Sequence, residues 1–499
     1  MDTSTLTMFL HGLQVAVQPE NLLAVAIGAI VGTAIGVLPG VGPVSAVALL
    51  VPLSFGLSPT TALIMMAGVY YGAMYGGSTT SILLNAPGES ASVVTCIDGH
   101  KLALKGRGGS ALGVAAIGSF IAGTLGVIVL MLLAPPLSRM AIAFQPPEYF
   151  ALMILALVAA TTMGEGKLVK ALISMSIGLC IGTVGQDIQT GTIRYTFGVS
   201  ELLDGIDFLV AALGLFALSE VIWETVEPNA LVTRINVKSP YPTLQDLKES
   251  MGAMLRGSGI GIFFGLLPGA GLITSPFVSY SVEKQLSKHP EEFGQGALKG
   301  VAGPESANNG AASAGFVPLL TLGLPGSSTM ALLLGIFMMW GVQPGPLLIS
   351  QNPEMFWGLV ASMYVGNVML LILNLPMVPL FAKIIDIPKP LLLPLIFVFS
   401  FIGVFAVNNS TLDLWLVLGF GVLGFFMRIY DFPAGPLVMS IVLGPLMERA
   451  MRQALTMSNG DPLIFVERPV AVGVLVVAVL FLIIPLLRRG NKDNSEIMA

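Results

Sequence analysis

The sequence predicts an all-α polytopic membrane protein of roughly ten to thirteen transmembrane or re-entrant helices, counted from apolar runs of about 20 residues. Three observations lead there. Of 499 residues, 55% are hydrophobic and 10% charged, whereas soluble domains carry roughly 25% charged residues. Apolar runs of crossing length recur from one end of the chain to the other. A helix-breaking phrase, GVLPGVGP at 36–43, returns as GLLPGAGL at 265–272. A transmembrane β-barrel would show alternating segments of about ten residues, and these runs are apolar on consecutive positions.

Residues 1–20 form an N-terminal segment without Lys or Arg, and the first basic residue is Lys101. Neither the basic start of a signal peptide nor a cytoplasmic anchor is expected there. A first membrane repeat is expected over 21–223, with apolar runs at 112–133, 149–161 and 208–223. The polar stretch 224–256 carries Arg234, Lys238, Lys248 and Arg256 and reads as a cytoplasmic linker. A second repeat follows over 257–455, with runs at 356–381, 391–407 and 412–426. An extra transmembrane helix is expected at 469–487, and Arg488, Arg489 and Lys492 place the tail 488–499 in the cytoplasm.

The two halves share a pattern. Placing Pro39 on Pro268 gives an offset of 229 (268 − 39). At an offset of 238 (310 − 72), Gly72, Gly77, Leu84, Pro87-Gly88 and Ser90 fall on Gly310, Gly315, Leu322, Pro325-Gly326 and Ser328. The slip between offsets fits the polar insertion 283–299, and the turn Gln145-Pro146-Pro147 resembles Ile387-Pro388-Lys389-Pro390. With linker and C-terminus both cytoplasmic and an odd number of crossings per repeat, the repeats are expected to be inverted. Duplicated halves interrupted by Gly and Pro at corresponding places point to the binding site of a secondary transporter.

Proline removes a backbone donor and glycine frees the chain from helical φ/ψ. Irregular backbone at membrane depth survives only where protein or a wet cavity covers it. Each LPGxG phrase therefore reads either as a packing kink or as a helix end and new start. The amides of such a start favour an anion, and the freed carbonyls hold a cation. The candidate substrate-binding residues are accordingly Pro39, Gly40 and Gly42 with Pro268, Gly269 and Gly271. A second matched element, 70–90 and 308–328, adds Ser78, Thr79 and Thr80, then Ser327, Ser328 and Thr329. These hydroxyls can replace the water shell of a carboxylate, or simply bond back to their own helices. Asn85, Asn308 and Asn309 are the candidate ion-binding residues. Gly68, Gly72 and Gly76, four apart, form a face for close helix approach. Glu89 and Glu305 flank the element and are read either as part of it or as lying at its aqueous mouth. Arg428 and Asp431 bracket a helix junction and read as a local ion pair.

Other chemistry is not expected. The net charge of −5 and the lack of a basic block give no reason to expect nucleic acid. Cys96 and Cys180 form neither a metal spacing nor a disulfide framework, and His11, His100 and His289 do not cluster. No GxxxxGK[ST] loop, HExxH motif or activated intramembrane nucleophile is present. The chain reads as a transporter rather than an enzyme, with no catalytic residues, no cofactor and no metal beyond a coupling Na⁺ (or a proton).

Taken together, the chain length, the two similar halves, the polar linker and the GxLPGxGP signature at 36–43 resemble the large membrane subunit of tripartite tricarboxylate transporters, the TctA family. The second copy departs from that signature at Leu272, which stands where the first has Pro43, so the two sites are not expected to be symmetric in detail. The resemblance implies a bacterial inner-membrane importer of citrate or other di- and tricarboxylates, driven by a sodium gradient in preference to a proton gradient. It also implies a small four-helix membrane partner of the TctB type and a periplasmic solute-binding protein of the TctC type. Membrane lipid surrounds the chain, and an oligomer is compatible with the reading. An elevator-type motion follows by fold analogy. The competing expectations are a passive organic-anion channel, an assembly scaffold and a membrane enzyme.

Overall fold

The computed structural model describes residues 3–38, 41–141, 143–161, 167–187, 190–226, 235, 241–267, 269, 271–381, 383–384 and 389–496. The first half runs α1 (Thr3–Ala16), α2 (Pro19–Gly36), α3 (Gly42–Ser54) and α4 (Pro59–Leu84). A 3₁₀ turn, Ser90–Ser92, then leads into α5 (Val93–Leu104), α6 (Gly108–Ala141), α7 (Pro146–Thr161) and α8 (Leu168–Gly182). Strands β1 (Gly185–Gln186) and β2 (Ile193–Arg194) pair antiparallel, and α9 (Phe208–Ala212) continues through a π-helical segment, Leu213–Leu218, into α10 (Ser219–Val226). The second half runs α11 (Leu244–Gly265), α12 (Gly271–Leu286), α13 (Lys299–Ala314), α14 (Phe316–Leu322), α15 (Ser328–Met339), short α16 (Leu348–Gln351) and α17 (Pro353–Asn374). It closes with short α18 (Val378–Phe381), α19 (Lys389–Asn408), α20 (Thr411–Ile429), α21 (Ala434–Met457), short α22 (Ile464–Glu467) and α23 (Pro469–Glu496).

The fold is all-α and polytopic, as the apolar runs predict. Among the described residues, α2, α6, the α9–α10 unit, α17 and α20 are long and apolar enough to cross a membrane, and shorter apolar helices stand among them. Leu395, Phe399 and Ile402 of α19, Trp415 and Val422 of α20, and Val476 and Val479 of α23 are exposed. Such an outward apolar face is stable against lipid and costly against water.

One boundary differs from expectation. The polar stretch 224–256 is helical in α10 up to Val226 and again from Leu244, while 227–234 and 236–240 lie outside the described residues. A capping box starts α11 early: Thr243 Oγ1 accepts from Asp246 N at 3.1 Å and Asp246 Oδ2 accepts from Thr243 N at 3.0 Å. Two orphan amides are thereby satisfied before the apolar run begins. Arg256, expected in the linker, sits on α11 and grips Glu283 of α12 through Nε (2.8 Å) and Nη2 (2.6 Å).

The close packing of α2 on α4 is repeated by α11 on α13. A Cβ added at Gly28, Gly32 or Gly36 would stand 2.3 Å from the carbonyl oxygen of Met65, Val69 or Ala73. At Gly257, Gly261 and Gly265 it would stand 2.2–2.5 Å from the carbonyls of Gly303, Ala307 and Ala311. Both the glycines and their partners match at the two offsets found in the sequence. Gly72 and Gly76 face the same seam from α4. Backbones this close gain dispersion contacts that lipid cannot supply.

Beyond these hairpins, each half packs on the other. Helix α6 covers α11 and α13, while α17 covers α2 and α4; α21 packs on α7 and α8, while the α9–α10 unit packs on α19 and α20. The exchange is reciprocal, as a duplicated unit wrapped around its copy requires. Tyr75 Oη donates to Asn367 Oδ1 at 2.6 Å, and Asn367 Nδ2 donates to Phe120 O (2.8 Å) and Thr124 Oγ1 (2.9 Å), pinning α4, α17 and α6 together.

Gly261→Ala should therefore lower unfolding stability in detergent by about 1–3 kcal/mol through overpacking. Gly259→Ala, where a Cβ meets nothing within 4 Å, should gain up to about 1 kcal/mol from helix propensity. Equal shifts in the two thermal melts would remove the seam argument.

Candidate functional site

Four helices begin at one cavity of ≈ 560 Å³. Gly42, Pro43 and Val44 open α3; Leu272 and Ile273 open α12; Ser328 and Thr329 open α15; Ala434 and Gly435 open α21. The chain breaks where the two LPG phrases stand, so α2 and α11 end beside the points at which α3 and α12 start. Each helix start presents unsatisfied backbone amides and the positive end of its dipole, worth about 0.3–1 kcal/mol per terminus toward an anion. The volume suits a small organic molecule.

Two matched turns close the cavity. Helix α4 ends in a left-handed cap at Asn85 (φ 57°), and α14 ends in one at Gly323 (φ 71°), 238 positions later. Four residues further, Glu89 (φ −152°, ψ 165°) and Ser327 (φ −155°, ψ 167°) hold the same extended cap conformation. Ser327 Oγ accepts from Met330 N at 3.2 Å and so starts α15. The Glu89 side chain accepts from Ser92 N in a capping box around the 3₁₀ turn. Both residues line the cavity.

A cation stands at its rim. Arg428, in the last turn of α20, donates to Glu220 Oε2 of α10 at 2.5 Å and lies 4.3 Å from the centre of the Trp223 ring. Glu220 and Arg428 both line the cavity. The expected pairing of Arg428 with Asp431 is replaced. Asp431 lies past the helix in a left-handed turn (φ 55°) and meets Lys167 Nζ at 3.0 Å. The hydrogen bond and charge of Lys167 hold the Asp431 carboxyl below the usual carboxylate range.

The sequence-predicted residues divide by position. Gly42, Gly269, Ser327, Ser328 and Thr329 line the cavity, and Gly271 is buried next to it, its Cβ position 2.1 Å from Phe264 O. Pro39, Gly40 and Pro268 lie outside the described residues. Ser78, Thr79 and Thr80 are buried within α4 rather than on the cavity wall: Ser78 Oγ donates to Glu305 Oε2 at 2.5 Å, and Thr80 Oγ1 to Gly77 O at 3.0 Å. Thr79 borders a small internal gap with Tyr75, Ser119 and Asn374. Asn85 is an exposed helix cap. Asn308 and Asn309 are buried on α13, where Asn308 Nδ2 donates to Glu89 Oε1 at 2.6 Å and Asn309 Nδ2 to Ser119 Oγ at 2.7 Å. Glu305 is wholly buried and lies at no aqueous mouth. Glu89, Glu220 and Arg428 were not assigned to the site from sequence, yet the 238 offset already sets Glu89 on Ser327.

A family model described as tripartite tricarboxylate transporter TctA matches residues 22–439. An uncharacterized 52.8 kDa protein in the TAR-I ttuC' 3' region of Agrobacterium vitis is 46% identical over 486 residues, covering 97% of both chains. An uncharacterized protein in the TAR-II ttuC' 3' region of the same organism is 46% identical over 236 residues, 47% of this chain and 98% of its own. No solved structure matches this chain.

Ser327→Ala should cost about 1 kcal/mol of stability through the lost cap. Ser327→Asp keeps a capping oxygen and should preserve stability, while its carboxylate weakens anion binding in the cavity. Thermal melts set beside binding isotherms separate the two effects. Equal anion affinity in Ser327→Asp and wild type would place the anion elsewhere.

Proposed function

Because the chain belongs to the tripartite tricarboxylate transporter TctA family, we propose that it is the large inner-membrane subunit that moves a di- or tricarboxylate into the bacterial cytoplasm by secondary active transport. A multi-pass transporter subunit is the plain consequence of family and fold. The finer reading rests on one observation: the starts of α3, α12, α15 and α21 converge on a single cavity whose rim carries Arg428. Helix starts and an arginine are what a polycarboxylate needs once it leaves water. The neutral walls supplied by Ser327, Ser328 and Thr329 replace hydration without adding fixed charge.

In this reading a periplasmic solute-binding protein delivers the substrate and a small membrane subunit completes the complex. A sodium or proton gradient drives accumulation. The two halves are inverted repeats whose broken helices form one shared site, and the motion is of the elevator type. Lys167 and Lys170 meet Asp431 and the Tyr430 carbonyl just past the Arg428 end of α20, and such positive residues favour a cytoplasmic position for that end.

The test is uptake of labelled citrate into proteoliposomes holding the two membrane subunits, with binding protein outside and an imposed cation gradient. The expected outcome is accumulation above equilibrium that collapses with the gradient. Passive equilibration with citrate and with other carboxylates would favour a channel. Arg428→Gln should weaken substrate binding about ten-fold or more, the scale of one charge-assisted hydrogen bond. Substrate binding should also change the fluorescence of Trp223, which lies under the guanidinium, and the change should vanish in Trp223→Phe.

A further inference from the structure

Among the described residues, several buried acids have fixed partners. Asp98 Oδ1 accepts the amides of Gly294 (2.8 Å), Gly296 (2.6 Å) and Ala297 (3.0 Å), and its Oδ2 accepts from Tyr280 Oη (2.9 Å). Glu283 is gripped by Arg256, Glu148 by Arg468, and Asp246 by Arg107. Asp187 stands between Arg194 and Arg452. Each of these carries its charge against a fixed cation or a ring of amides. Glu89 and Glu305 do not: among the described residues, no Lys, Arg or His forms an ion pair with either.

Glu305 is wholly buried on α13, at the junction of the two halves. Its Oε2 accepts from Ser78 Oγ of α4 at 2.5 Å, and its Oε1 accepts from Thr95 of α5. One turn along α13, Asn308 donates to Glu89 Oε1 at 2.6 Å, so it stands between the buried acid and the one on the cavity wall. The Oδ1 atoms of Asn308 and Asn309 are buried without a hydrogen-bond partner. Other titratable or charged groups face this cluster from every packed element that carries one. Tyr70 on α4 stands near Glu89 with Tyr71 against it, and Cys96 on α5 stands near Glu305; Asp98 on α5 and Tyr280 and Glu283 on α12 meet α13 at Gly300 and Gly303, Arg256 on α11 is held by Glu283, and Glu220 and Arg428 line the same cavity as Glu89. Asp98, Glu283 and Glu220 are already engaged. Helix α6 offers only Ser119 and small residues.

An isolated ionised carboxylate is costly in such surroundings. Hydroxyls, however, can donate or accept. Ser78 and Thr95 both donate to Glu305 when it is a carboxylate, and either can turn to accept its O–H when it is a carboxylic acid. Each Glu305 oxygen thus has beside it a hydroxyl that can follow a proton on and off. We infer that Glu89 and Glu305, with Asn308 bonded to Glu89 one turn along α13 from Glu305, are the proton-binding pair that couples the gradient to the anion in the cavity, an inference that rests on the transport reading above. A proton entering from the more acidic side forms an O–H bond on the pair, and the same bond breaks when the proton leaves on the opposite side. No bond of the substrate changes. Charged Glu89 repels an incoming anion, and protonated Glu89 does not. For unit charges about 8 Å apart at an effective dielectric near 20, the difference is roughly thirty-fold in affinity. Linkage makes it reciprocal, so the anion favours the proton by the same factor.

Two measurements decide it. Infrared pH-difference spectra of the full chain in lipid should show a titrating carboxylic C=O band that loses one component in Glu305→Gln and another in Glu89→Gln. In proteoliposomes with the complete transporter, an inside-alkaline pH gradient should stimulate labelled citrate uptake, and Glu305→Gln should abolish that stimulation. Unchanged spectra in both variants would overturn the inference, as would pH-gradient stimulation that survives Glu305→Gln. Sodium-driven uptake lost in Glu305→Gln, with no titrating band, would also overturn it and assign the cluster to a metal ion. Should wild type accumulate no citrate or other carboxylate, the transport reading fails, and the infrared titration still decides the proton pair. Glu89→Gln, at the less buried position, serves if Glu305→Gln does not fold.

Discussion

A backbone amide or carbonyl that loses its helical partner inside hydrocarbon has no water to turn to. The two LPG phrases create such groups by design, and the rest of the structure answers that need. Helix starts freed by the breaks must either be covered by protein or face a wet cavity, and here they do both: α2 and α11 press against α4 and α13, while the starts of α3 and α12 open onto a shared space. A cavity ringed by helix starts is thus the consequence of broken helices that remain folded.

Holding those breaks in place takes rigidity, and the hydrophobic effect supplies little between helices already surrounded by apolar chains. The glycine seams supply it instead. Gly28, Gly32 and Gly36 in one half, and Gly257, Gly261 and Gly265 in the other, bring backbones into contact at distances no side chain permits. The reciprocal covering of each half by the other then fixes the two seams relative to one another. Buried polar links such as Tyr75–Asn367–Thr124 set the register of that assembly, since a shifted pairing would strand an amide in a dry interior.

Much of this was legible in the sequence. The apolar runs gave the helices, the LPG phrases gave the breaks, and the two offsets gave the correspondence between Gly42 and Gly271 and between Ser90 and Ser328. What escaped was three-dimensional convergence. Ser78 and Thr80 lie in a hydroxyl-rich stretch beside the breaks, but the helical twist of α4 turns Ser78 toward Glu305 of α13, and Thr80 bonds back to its own helix at Gly77. Arg428 lies near Asp431 in sequence, yet the left-handed turn at Asp431 carries the acid toward Lys167 and leaves the arginine to the cavity. Polarity in the stretch 224–256 also hid the capping box at Thr243 that starts α11. Glu89 was visible as a charge, but only its alignment with Ser327 marks it as a cap facing the same space.

That alignment carries a further consequence. Two caps of matching backbone shape line one cavity, and the sequence has made one a hydroxyl and the other a carboxyl. A molecule lying across the cavity therefore does not meet like with like. Its two ends face different neighbours, and a guest with chemically distinct ends fits better one way round than the other. The scaffold is doubled, while the chamber it encloses has a head and a tail.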